Sequence, residues 1–255
     1  MVEHKPDEVP WTIQQTILGI LLTLIPWFIV VSLLNGGKTP TTPSTALPLG
    51  TDITNAIITF LVSSIIEGAF IIAPLYFAKS VYRSITPHLR LAWRALGFKE
   101  FNVGKAFILV ILFGFIIIAT DYLYQDAITL FHWHLQTNDQ VILTHSKIEP
   151  ITTYATLLVA VFIAPFCEEI FFRGFVFTGL RPGMPLYLAV IISALLFAAA
   201  HGDPASFPVL LIIGLLLAIL RWQTKSLWPG ILLHCLNNSL GAIEIILVMN
   251  GVIKL

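Results

Sequence analysis

Three charged side chains stand together at residues 167–174, in CEEIFFRG, at the end of an apolar run that begins near Leu157. Charge in such surroundings costs about 2.5–3.5 kcal/mol on insertion scales, so residues of this kind face a cavity or a partner. On a helix of about 3.6 residues per turn, Glu169 and Arg173 are four apart and share a face, so they can pair. Glu168 points about 100° away from Glu169. The expected division is that Glu169 is tied to Arg173 while Glu168 faces something else. The motif alone also fits a purely structural ion-pair cluster.

Two further patterns narrow the chemistry. FAAAH places Phe197 and His201 four apart, and HCLNN does the same for His234 and Asn238. Each pair projects from one helix face. A lone histidine in an apolar helix is usually a packing residue. Two of them, with an amide and an unpaired carboxylate, supply the parts of a hydrolytic site: a base for water, imidazoles to hold a metal or the water, and a donor for the oxyanion.

These residues need elements to hold them. Of 255 residues, 57% are hydrophobic and 11% charged, well short of the roughly 25% charged that a soluble domain carries. Apolar stretches recur at Ile17–Leu34, Ala56–Ala78, Ala106–Ala119, Thr156–Phe166, Tyr187–Ala200, Phe207–Leu220 and Leu227–Val248. With a bilayer core needing about 20 apolar residues, several must be completed by their flanks. The reading is an all-α, polytopic membrane helical bundle with seven transmembrane helices, or eight if Ile128–Ile142 re-enters the membrane. It is a single membrane domain over 1–255. Residues 1–150 hold N-terminal helices and a basic cytoplasmic linker, and 152–248 form a catalytic core. The first apolar run has an acidic N-terminal flank and no small-residue cleavage pattern, so it is read as a retained helix. The Thr/Pro-rich Lys38–Pro48 is read as an exposed loop.

Charge sets an expected orientation. Placing Lys79, Arg83, Arg90, Arg94, Lys99 and Lys105 on the cytoplasmic side brings Lys5, Arg173, Arg181, Arg221 and Lys225 with them. Lys38, Lys147 and Lys254 fall outside, giving 11 against 3. By the positive-inside rule the N-terminus is cytoplasmic and the C-terminus is not. This asymmetry, under a net charge of zero, speaks for a membrane and against nucleic acid. The basic stretch from Ser80 to Asn102, with Trp93 and Phe98 among its arginines, reads as an interfacial helix or simply as a basic inner loop.

Depth is a test of convergence. If the CEEIFFRG helix runs on to about Leu180, the rise of about 1.5 Å per residue puts Glu168 about 18 Å from its inner end. On the same scale His201 is about 22 Å, and His234 about 12 Å, from their own helix starts. One site is therefore permitted, with Glu168 expected within about 5 Å of His201, the reach of direct contact or one water.

In order, EEIFFR, FAAAH and HCLNN match the EExxxR, FxxxH and HxxxN motifs of the CPBP family, the CAAX-protease and bacteriocin-processing membrane proteins also called Abi. The resemblance covers about Val161–Gly241, and ALGFKEF resembles the family's pre-core linker. It implies an intramembrane endopeptidase acting on a membrane-associated protein or peptide. Glu168 would activate water, Glu169 and Arg173 would support the site, His201 would bind metal or water, and His234 and Asn238 would bind metal or stabilise the oxyanion. The family is usually classed with zinc metalloproteases, for which Glu168, His201 and His234 would be the ligands. A metal-free glutamate mechanism is the alternative.

Other residues fall outside this match. Cys167 and Cys235 read as packing residues. The pair His132/His134 lies in an outer connection. Glu67 and Glu244 sit within apolar helices, Asp203 reads as a helix cap, and Asp121 as the outer end of the third helix. A non-catalytic binding or immunity protein on the same fold, and an ion- or proton-coupled transporter, are the competing classes. Against a transporter, no pair of broken helices recurs in two halves.

Overall fold

The computed structural model describes residues 9–35, 46–80, 88–133, 135 and 137–253. Within these the chain is helical, with no strand. The helices are α1 (Ile13–Asn35), α2 (Leu49–Ser80), α3 (His88–Leu96), α4 (Val103–Leu130), α5 (Asn138–Ser146), α6 (Pro150–Gly183), α7 (Leu186–Ala200), α8 (Phe207–Thr224) and α9 (Trp228–Met249). Six of them, α1, α2, α4, α6, α8 and α9, are long and apolar enough to cross a membrane, and α7 is a shorter apolar helix of 15 residues. The seven expected apolar helices are all present. The stretch 128–142 is not an eighth. It contains the end of α4, a non-helical turn and the start of the nine-residue α5, whose Thr137/Gln140 capping box marks a polar helix start. Asp121 lies inside α4 rather than at its end. Lys5, Lys38, Arg83, His134 and Lys254, used above for orientation or metal binding, lie outside the described residues, as do most of the Lys38–Pro48 loop and residues 81–87.

The centre of the bundle is α6. Side chains of α2 follow it in parallel register. Asp52, almost fully buried, accepts from the backbone N–H groups of Ile151 and Thr152 at 2.9 and 3.0 Å. It thereby satisfies orphan donors at the start of α6, where Pro150 needs none. Farther along, Phe70 packs on Phe171 and Phe172, and Phe77 stacks on Phe175 with ring centroids 5.7 Å apart.

Two π-helical segments interrupt α6, Val159–Ile163 and Glu169–Phe177. The first precedes Pro165, which has no N–H and whose ring crowds the carbonyl four residues back. A neighbouring helix supplies a side-chain donor to each segment. Asn238 of α9 donates to the Ala160 carbonyl at 2.8 Å, and Ser193 of α7 donates to that of Phe172 at 3.1 Å.

Small residues allow close approach elsewhere. A Cβ on Gly214 of α8 would lie 3.0 Å from Ala194 of α7. Gly97, which ends α3 with φ +114°, accepts at its carbonyl from Leu227 N–H and abuts the Arg221 guanidinium. α3 itself buries Ala92 and Leu96 and exposes Arg90 and Arg94, the amphipathic pattern expected of that stretch.

Candidate active site

Glu169 and Arg173 lie in the second π segment and are completely buried. Arg173 Nη1 donates to Glu169 Oε1 at 2.7 Å, and Nη2 donates to the Gly214 carbonyl at 3.2 Å. The guanidinium also lies 4.2 Å from the Phe197 ring centroid. In a π segment the hydrogen bonds span five residues rather than four. The turn is wider, yet the residues at i and i+4 still face together.

Phe197 is the hub of the arrangement. Its ring meets Arg173 on one side, Phe172 edge-on at 5.4 Å, His201 at 4.7 Å and His234 at 5.5 Å. Sequence reasoning named Phe197 only as the start of a helical pair. Its role as a common wall for one cation and two imidazoles becomes visible when three helices are superposed in space. Gly230 was not singled out either. A Cβ there would lie 2.8 Å from Glu169 Oε2, so the absence of a side chain lets α9 approach the glutamate.

Glu168, at the junction of the α-helical and π-helical parts of α6, points toward the two histidines. Its Oε2 lies 4.0 Å from His201 Nε2 and 3.9 Å from His234 Nε2. The histidine on α9 also brings Nδ1 to 3.5 Å from Glu169 Oε1. His234 is 3% exposed, whereas His201 retains a quarter of its side-chain surface. The structure therefore brings Glu168, Glu169, Arg173, His201 and His234 together. Asn238 sits one turn beyond His234, with one amide N–H used by Ala160 and its Oδ1 accepting from Asn237 at 3.2 Å. Its other N–H is the donor left to serve a ligand.

Tautomers follow from the acceptors. His201 Nδ1 is 2.8 Å from the Phe197 carbonyl, which can only accept, so Nδ1 carries the proton. The neutral ring then presents a bare Nε2 to Glu168. The gaps of 3.9 and 4.0 Å exceed direct hydrogen-bond length and are spanned by one water. Glu168 Oε2 is buried with no hydrogen-bond partner among the described residues.

A carboxylate and two imidazoles are suitable zinc donors. With bonds of about 2.0–2.1 Å, however, a tetrahedral shell has donor–donor edges of roughly 3.3–3.4 Å. The observed separations are wider. Among the described residues, no group of three His, Cys, Asp or Glu side chains is placed to hold a metal ion. The ligand set Glu168, His201 and His234 does not fit zinc as it stands.

Asp203 is a cap. It accepts from the N–H groups of Asn138, Ala205 and Ser206 and from the Ser206 hydroxyl. Cys167 and Cys235 are free thiols, the first buried.

The fold is that of a polytopic helical membrane protein, with Glu168, Glu169, Arg173, His201 and His234 brought together from α6, α9 and the end of α7. Residues 150–240 match the family described as Type II CAAX prenyl endopeptidase Rce1-like. Over 102 residues, the chain is 28% identical to a protein of Bacillus subtilis (strain 168) named "Putative membrane peptidase YdiL"; the match spans 40% of each chain. No solved structure matches. Through the segment bearing its three motifs, the chain is thus similar to the CAAX-type membrane peptidases.

Proposed function

We propose that the protein is an intramembrane endopeptidase that hydrolyses a peptide bond in a membrane-associated protein or peptide. The observation that carries this reading is the buried, unpartnered Glu168 Oε2 with two imidazole nitrogens 3.9 and 4.0 Å away. A water between them loses a proton to Glu168 as its oxygen attacks the substrate carbonyl. The new C–O bond leaves an oxyanion, which the remaining Asn238 N–H stabilises. The proton held by Glu168 passes to the amide nitrogen as the C–N bond breaks. Arg173 holds Glu169, whose Oε1 lies 3.5 Å from His234 Nδ1.

This sequence of steps uses only the side chains of the chain. Zinc is the cofactor that the resemblance suggests, and no step depends on it. Residues 152–248 act as the catalytic core, and the N-terminal helices and basic linker as its support. The N-terminus is placed in the cytoplasm, in a bacterial-type cell membrane.

The test compares membranes from cells making the wild-type chain with membranes carrying Glu168→Gln. New protein termini that appear only with the wild type identify substrates. If the two sets of termini are identical, the peptidase reading falls.

A further inference from the structure

Hydroxyl groups inside the helices of this chain mostly serve their own helix. Ser64, Thr120, Thr156 and Ser239 each donate to the carbonyl four residues back, a common habit of such side chains in a helix interior. Ser193 of α7 does otherwise. Completely buried, it crosses to α6 and donates to the Phe172 carbonyl at 3.1 Å, within the second π segment. A carbonyl oxygen has two lone pairs, so it can take this donor beside a bond within its own helix.

The bond belongs to a longer contact. Ser193, Phe197 and His201 recur at intervals of four, which keeps them toward one side of α7. Each meets α6: Ser193 at Phe172, Phe197 at Phe172 and Arg173, and His201 at Glu168. Numbers rise along α7 as they fall along α6, so the two helices run antiparallel. The axial position of α7 then sets the 4.0 Å gap between His201 Nε2 and Glu168 Oε2. Packing of the Phe197 ring is weakly directional and tolerates sliding. The serine bond is directional and bears on a backbone atom. Ser193 and His201 are eight residues apart, about 12 Å along the axis, and an axial shift of the helix at one is the same shift at the other.

We propose that Ser193 is a positioning residue for the reaction: its bond to the Phe172 carbonyl fixes how far α7 slides along α6 and so keeps His201 one water away from Glu168. This rests on the reading of Glu168 as the base of a peptidase. Ser193 touches neither the water nor the substrate, so it acts on the rate of the chemical step and not on substrate binding.

The experiment uses full-length protein in detergent and, as probe, a peptide spanning one terminus that the wild type produces and Glu168→Gln does not. A misplacement of about 1 Å costs up to about a hundredfold in rate. With Phe197 still in contact, S193A should lower kcat about tenfold and leave KM within about twofold. S193C keeps a donor, though a weaker one, and should fall between, about threefold below the wild type. D52N removes the cap at the far end of α6 and serves as the control for lost stability. It should lower the melting temperature and leave kcat within about twofold of the wild type. Size-exclusion chromatography gives the folded concentration to which each kcat is normalised. If S193A does not fold, S193C carries the comparison. A wild-type kcat in the serine variants, a change confined to KM, or an equal loss of kcat in D52N overturns the positioning role and leaves the peptidase reading standing. The absence of any Glu168-dependent terminus overturns both.

Discussion

Exchanging each of the two adjacent glutamates for glutamine should give opposite phenotypes. Glu169 is fully buried, and Oε1 carries the 2.7 Å bond from Arg173. Glu169→Gln removes the charge while Arg173 keeps its own. Breaking one side of a buried pair costs about 3–5 kcal/mol. The guanidinium retains its bond to Gly214 and its contact with Phe197, and glutamine still offers an amide oxygen, which places the loss near about 3 kcal/mol. At roughly 2–4 °C per kcal/mol for a chain of this size, the melting temperature should fall by about 6–12 °C. Glu168 has no direct hydrogen bond to lose at Oε2, so Glu168→Gln should melt within about 4 °C of the wild type. It should also abolish cleavage, because an amide cannot accept the water's proton. Thermal unfolding of purified protein in detergent, followed by intrinsic fluorescence, reads the first effect, and terminus mapping reads the second. Equal destabilisation by the two variants, or cleavage surviving in Glu168→Gln, would refute the division of roles.

Gly230→Ala should destabilise by about 1–3 kcal/mol, because its Cβ would stand 2.8 Å from Glu169 Oε2 while Oε1 is tethered to Arg173; the same thermal assay reads it. The two aspartates outside the spans should respond oppositely to amidation. Burial acts to raise the Asp203 carboxyl, but the bonds from Asn138, Ser206 and Ala205 prevail and hold it below the ordinary range. Its stabilisation is present above the unfolded value of about 3.9 and is lost as pH falls through the folded value, so Asp203→Asn should lower the melting temperature at pH 7. Asp139 is raised by burial and by Asp203, Glu244 and Asp121. Its penalty grows as pH rises above about 3.9, so Asp139→Asn should melt higher than the wild type at pH 7 and match it in acid. Cleavage by chelator-treated protein should equal that of untreated protein, and a loss restored by zinc would require the Glu168, His201 and His234 side chains to close around the ion. A reporter fused after Leu255 should read as extracytoplasmic, and one inserted at Arg94 as cytoplasmic; the reverse would overturn the orientation.

Hydropathy was enough to locate every apolar helix, because each must cover its backbone with side chains that suit lipid. It was less informative about ends. α2 begins at Leu49 rather than near Ala56, and α4 continues past Asp121 to Leu130, since a polar residue at a helix end adds little to an average over the span. Helical spacing made the Glu169–Arg173 pair legible, and simple rise arithmetic allowed Glu168 to meet two histidines. The π segments were hidden, because a shifted backbone hydrogen bond has no composition of its own; Pro165 was the visible trace. Asn238 was read through its side-chain type as an oxyanion donor, but one of its N–H groups serves a backbone carbonyl. That partner is fixed by how α9 meets α6, which spacing within one helix does not encode. The same holds for Phe197 and Gly230, whose importance lies in what approaches them from other helices.

The two π segments of α6 have a consequence for anyone who would transplant this site. Each inserts surplus chain into what would otherwise be a uniform coil, so directions before Val159, between the segments, and after Phe177 are offset from those of an ideal helix. Copying the letters Glu-Glu-Ile-Phe-Phe-Arg onto a straight designed helix would preserve the spelling and rotate the meaning. Glu168 and Glu169 would still diverge, but the turns before and after them would be rotated, and Ser193 and Asn238 would find their carbonyl partners turned away. The portable unit is the irregular backbone together with the α7 and α9 side chains that clasp it.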